Sequence, residues 1–235
     1  MMLLSSLAIQ TKANNKFEKR ENIKIYNSNS SISKVVFNIA EVASSETTVP
    51  INVSFQAEKV ILEKISGGEK VDLLITDSYE LLKDLKELGF IDFSETSELF
   101  FDRLVFISFS RNEKTENFET QESEAIFFKT SPEDREIIND RAEKIPSVLI
   151  DSSNVCKKIN SLRVLYENSY QYLIIKESVA KKCEFYYSGF FDNLYNLYYI
   201  AIVKNENFNK TKKMFDFLEN SDKIKEIIKN NGYNR

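Results

Sequence analysis

The chain alternates short apolar runs with stretches of helical spacing, and it does so in two successive series. In the first series, Ile23, Ile25 and Tyr26 read as a strand, Asn27 to Ser31 as a polar loop, and Ile32, Val35, Val36, Ile39 and Ala40 as one apolar helix face. Residues 50–55 alternate as a strand. Residues 57–65 then form a helix, stopped by Gly67 and Gly68. Residues 71–76 read as a buried strand, and Ser78 caps a helix with the face Leu81, Leu82, Leu85 and Leu88. Strand and helix in strict alternation bury both partners best as a mainly parallel sheet with helices packed on it. The expected class is therefore α/β.

The second series repeats the logic. A strand is expected over 104–109, and a Glu-, Thr- and Asn-rich exposed loop follows over 110–124. Then come a strand at 125–129, a helix at 133–144, a strand at 147–150, a helix over 155–168 and a strand at 170–175. Residues 183–187 and 197–203 look β-like, and two helices, 208–219 and 221–231, close the chain. Two α/β layers joined by strands near Arg103 and Ala201 imply two lobes with a cleft between them. The expected division is a leader at 1–22, a first lobe of 23–104 plus 201–235, and a second lobe of 105–200. Helix N-termini of both lobes would then face the cleft.

Composition narrows the chemistry. A formal net charge of -4 over 235 residues gives no basic face for nucleic acid. The chain has no His, which removes the usual triads and the commonest transition-metal ligand. No pair of carboxylates has a catalytic spacing, so no enzyme, metal or cofactor is expected; Asp77 and Glu133 read as helix caps or surface charges. Cys156 and Cys183 are too few for a zinc site. They are expected as buried thiols, with a single disulfide as the alternative in an exported protein. Residues 1–9 form an apolar run shorter than a membrane span, read as the remnant of an export signal.

The Asn27–Ser31 loop is the chemically suggestive stretch. Ser30 or Ser31 reads most simply as an N-cap, yet amides at the positive end of a helix dipole also suit an oxyanion. Tyr186, Tyr187, Tyr195, Tyr198 and Tyr199 read as half-buried strand side chains, with a stacking platform as the alternative.

Several ordered anchors carry a resemblance. They are Ser31-Ile32 opening the first helix, Gly68 before Asp72-Leu-Leu-Ile-Thr76, and Leu88-Gly-Phe-Ile-Asp92. Asp102-Arg-Leu-Val105, Phe215-Asp-Phe-Leu218 and Asn231-Gly-Tyr233 complete the set. Together they resemble the periplasmic molybdate-binding proteins, a branch of the type II solute-binding proteins of ABC importers. The resemblance implies a two-lobed type II fold, each lobe a mostly parallel sheet flanked by helices. It also implies a periplasmic location, a membrane permease as partner, a monomer, and a small oxyanion such as molybdate or tungstate held by neutral donors.

Mapped onto this chain, the ligand positions are Ser31 (or Ser30), Ala57 and Glu58, Ile137, Val155 and Lys176. Two of them change charge type. Glu58 stands where the family has a serine-rich turn, and Lys176 where it has a tyrosine. Three outcomes stay open: a Glu58–Lys176 pair that fills the cleft, added lysine donors for a more highly charged anion, or a cleft that no longer binds a small solute. The last would make the protein a binding-fold relic used as an interaction module.

Overall fold

The computed structural model describes residues 22–108, 125–129, 147–149, 154–166, 169, 172–187 and 189–235. The strands are β1 (Ile23–Asn27), β2 (Ile51–Phe55), β3 (Leu73–Thr76), β4 (Thr96–Ser108), β5 (Ala125–Lys129), β6 (Ser147–Leu149), β7 (Tyr172–Lys176) and β8 (Gly189–Ile202). The helices are α1 (Ser33–Thr47), α2 (Glu58–Ser66), α3 (Tyr79–Glu87), α4 (Val155–Tyr166), α5 (Glu177–Lys182), α6 (Phe208–Asn220) and α7 (Asp222–Asn230). The strands form one sheet in the order β2-β1-β3-β8-β4-β7-β5-β6.

In the first half of that order, β1 lies parallel between β2 and β3, with Ile25 opposite both Val53 and Leu73. A strand covered on both faces should be buried on both, and every residue of β1 except Lys24 and every residue of β3 is. Ile23, Ile25, Leu73 and Ile75 join the cluster built with α1, α6 and α7, through residues such as Val36, Ile39, Leu218 and Ile228. Tyr26 and Leu74 face the other way, into a cluster with Ile61, Ile65, Leu81, Leu82 and Leu85 of α2 and α3. In the second half, β5 lies parallel between β6 and β7. Its core joins Val105, Ile107, Ile126, Phe128, Leu173 and Ile175 to Val155, Ile159 and Ala180.

The two halves meet through long antiparallel strands. β8 pairs with β3 over Tyr199–Ile202, and β4 pairs with β7 over Leu104–Ser108. Between these ends β4 and β8 pair with each other, with breaks in register at Glu98/Phe100 and at Arg103/Val105. A break of this kind bends a strand and raises its twist.

Each half has the parallel sheet expected of it, β2-β1-β3 and β6-β5-β7. Several other expectations need correction. The crossing strands β4 and β8 run antiparallel to their neighbours. Both are longer than their apolar runs suggest, β4 beginning at Thr96 and β8 at Gly189. Residues 183–187 are not a strand: Glu184 turns the chain at φ 56°, and the Phe185 amide donates to the Ala180 carbonyl, closing α5. Leu88 caps α3 and is 55% exposed, so it is not part of that helix's buried face. Cys156 and Cys183 are not thiols; they form a disulfide between the start of α4 and the end of α5. The loop at 110–124 and the helix at 133–144 lie outside the described residues. Among the described residues no helix is long and apolar enough to cross a membrane.

Candidate functional site

The opening loop closes on itself more than its sequence suggests. The N-cap is Asn29, not Ser30 or Ser31, and it heads a 3-10 turn at Ser30–Ile32 that leads into α1. The Ser31 amide and hydroxyl both donate to Asn29 Oδ1, at 2.8 and 2.7 Å. Asn29 Nδ2 in turn donates to Asp77 Oδ2 at 2.7 Å. Asp77 is thus neither a helix cap nor a bare surface charge, since Asn196 Nδ2 also donates to it at 3.0 Å. Asn196 lies 3.0 Å from the Tyr198 hydroxyl, which accepts from Lys176 Nζ at 3.4 Å. A polar chain therefore runs from Ser31 to Lys176 behind the site. It fixes side chains from the turn after β1, from the residue after β3, and from β8 and β7 relative to one another.

The opposite wall is built where β7 passes into α5. Asp102, fully buried on β4, accepts from the Ser178 amide at 3.0 Å and from the Ser178 hydroxyl at 2.5 Å. Two charge-assisted bonds to one carboxylate hold the first turn of α5 against the sheet. Gly232 packs against the same turn at φ 93°, and a Cβ there would come within 3.0 Å of Ser178 Cα. Glycine alone accepts both the left-handed backbone and that approach.

Glu177 is the wall's charged anchor. It accepts from Arg103 Nε at 2.9 Å, the Tyr187 hydroxyl at 2.8 Å and Asn234 Nδ2 at 2.7 Å, and it pairs with Lys181 at 2.9 Å. Burial would raise its pKa, but these donors outweigh burial and bring it down to about 2. Tyr233 is pushed well above the ordinary phenol range by its burial, so it stays a neutral hydroxyl. Its ring packs on Phe100 and Tyr198, with centroids at 4.9 and 6.1 Å.

Between these walls lies a cavity of about 370 Å³. Ser31, Lys34 and Val35 line it from the start of α1, Val155 from the start of α4, and Lys176 from the end of β7. Further lining comes from α5 (Ser178, Val179, Lys181 and Lys182) and from the C-terminal end of α7 onward, Lys229 to Tyr233. Parts of the chain far apart in sequence thus converge on one space. Among the described residues the lining holds five lysines and no carboxylate.

No protein-family model and no curated protein sequence matches the chain. Solved structures do match it. A substrate-binding domain ascribed to a molybdenum ABC transporter from Clostridium difficile aligns with a TM-score of 0.66 and 16% identity, covering 91% of this chain and 98% of that one. The Azotobacter vinelandii periplasmic molybdate-binding protein aligns at 0.55 and 11% identity, over 90% and 98% of the two chains. PEB3, from Campylobacter jejuni, matches in a structure with L-phospholactate bound, at 0.54 and 16% identity, over 91% and 100%. The chain has the type II periplasmic-binding-protein fold.

Within this type II fold, the residues singled out from sequence divide. Ser31, Val155 and Lys176 line the same cavity. Ser30 is exposed and does not line it; Ala57, the exposed N-cap of α2, and half-buried Glu58 do not either. Ile137 lies outside the described residues. Sequence reasoning passed over Lys34, Lys181, Lys182, Lys229 and Ser178, which line the space, and Asn29, Asp77, Asn196 and Asp102, which brace it. A signal for the lysines does exist: Lys181 and Lys182 fall in the last turn of α5, and Lys229 in the last turn of α7. Such positions read as ordinary helix-end charges until the fold brings them together. The tyrosines do not form one platform, since Tyr198 is buried while Tyr186 is 89% and Tyr195 46% exposed.

Proposed function

We propose that the protein is the solute-binding component of an ABC importer and holds a small anion in the cavity between its lobes. The observation that carries this reading is the convergence of Ser31, Val155 and Lys176, from separated parts of the chain, on one cationic cavity. The division of the lobes at 23–104 plus 201–235 and at 105–200 fits the register break at Arg103/Val105 on the crossing strand. Type II neighbours named for molybdenum transport and molybdate binding support a carrier role in general. A disulfide supports export to an oxidising compartment, where a membrane permease would be the partner.

The chemistry of the walls favours an anion. The lining lysines supply positive charge, and among the described residues no lining carboxylate opposes a negative ligand; the Ser31 and Ser178 hydroxyls donate to Asn29 and Asp102 instead. An open, lined cavity supports ligand binding over the interaction-module alternative, which a cleft filled by a Glu58–Lys176 pair would favour; Glu58 does not line the cavity. Calorimetric titration of the purified chain with molybdate, tungstate, sulfate and phosphate tests the oxyanion version. Heat of binding with a matching rise in melting temperature is expected for at least one of them; silence toward all four removes the oxyanion version.

A further inference from the structure

We propose that the cavity selects a small organic acid carrying two or more anionic groups over a bare tetrahedral oxyanion. This deepens the solute-binding reading above and rests on it.

Size is the first reason. A five-atom oxyanion occupies the space of roughly two to three waters, on the order of 60–90 Å³. The cavity offers about 370 Å³. That lies near the lower end of the roughly 300–1,000 Å³ range in which organic ligands are held. An oxyanion alone would leave most of it to water.

Charge is the second reason. Lys34 comes from α1, Lys181 and Lys182 from α5, and Lys229 from α7, so the cations surround the space from three helices. Lys181 is balanced by Glu177, and Asp102, which accepts from Ser178, is not part of the lining. Even so, Lys34, Lys182 and Lys229 remain around a site in a chain whose net charge is -4. Each exposed lysine contributes little alone, but like charges around one concave space add their potentials and favour a multiply charged ligand. Cations set on separate helices also suit anionic groups held apart by a carbon skeleton. Val35, Val155 and Val179 give that skeleton apolar surface to lie against.

Calorimetry on the full chain tests the proposal with five probes: 3-phosphoglycerate, citrate, inorganic phosphate, sulfate and molybdate. At least one of the two organic acids should bind about tenfold or more tightly than every inorganic ion. Its affinity should fall several-fold between low and physiological salt. The double substitution Lys182→Gln with Lys229→Gln should weaken that organic ligand about tenfold at unchanged melting temperature. Lys223→Gln, on α7 but outside the lining, should leave it as it was. An inorganic ion that matches the organic acids overturns the proposal and leaves the solute-binding reading standing. Full organic-acid affinity in the double variant likewise overturns it. Silence toward all five probes overturns both.

Discussion

Glu177 occupies a place where burial alone would favour the protonated acid, and it is ionised because four neighbours donate to it. Its folded pKa, about 2, lies below the ordinary carboxylate value of 4.5. A depressed acid pKa means stability that is fully present above the unfolded value and is lost as pH falls through the folded one. The window is therefore between about pH 4.5 and pH 2, and the contribution is on the order of 3 kcal/mol. Glu177→Gln keeps the shape but removes the charge opposite Arg103 and Lys181. Urea unfolding should show the variant destabilised by about 2–4 kcal/mol at neutral pH. The difference from wild type should shrink steadily from pH 4.5 to pH 2. A constant difference across that window would assign the effect to packing instead of charge.

At the scale of elements, the α5 wall depends on a covalent tie. The disulfide joins Cys156 in α4 to Cys183 just past α5, across a separation of 27 residues, with a Cα–Cα distance of 5.2 Å. Closing a loop of that length in the unfolded chain is worth about 3–4 kcal/mol in the chain-entropy picture. Cys156→Ala with Cys183→Ala, or reduction by dithiothreitol, should lower the urea midpoint accordingly. It should also loosen α5 first, visible as faster amide exchange over Glu177–Lys182. This element shows where sequence reading stops. The first five strand and helix segments of β1 to α2 and β3 were legible because a period of two or of 3.6 separates their faces clearly. By contrast, α5 has only six residues and buries Glu177 and Ser178 along with Ala180, so no apolar stripe announces it. The length of β4 and β8 was hidden by the register breaks that interrupt their alternation. Two cysteines alone do not declare a bond, which depends on how α4 and α5 are brought together. For the site, the Ser-rich opening was legible because it sits on a helix start; the lysines at the ends of α5 and α7 were not, because their convergence is tertiary.

Over the whole molecule, two strands link the halves of the sheet, and the C-terminus adds a third contact. The Phe101 and Asn234 backbones exchange hydrogen bonds of 2.9 Å, which ties the segment after α7 to β4 at the point where the halves join. Lining residues come from α1 on one side and α4, β7 and α5 on the other, with the end of α7 closing the space. A ligand seated there touches both halves, so its binding energy acts on their relative position and not on one half alone. At a free concentration 100 times its Kd, a ligand specific for the folded state adds about 2.7 kcal/mol of stability. For a chain of this size that corresponds to a rise in melting temperature of about 5–10 °C. Hydrogen exchange at the same saturation should show protection gained together at the Ser31 turn, over α5 and at residues 229–233. Protection confined to one wall would mean that the ligand sits on that wall without bridging the halves, and a closing cleft would then have no energetic source.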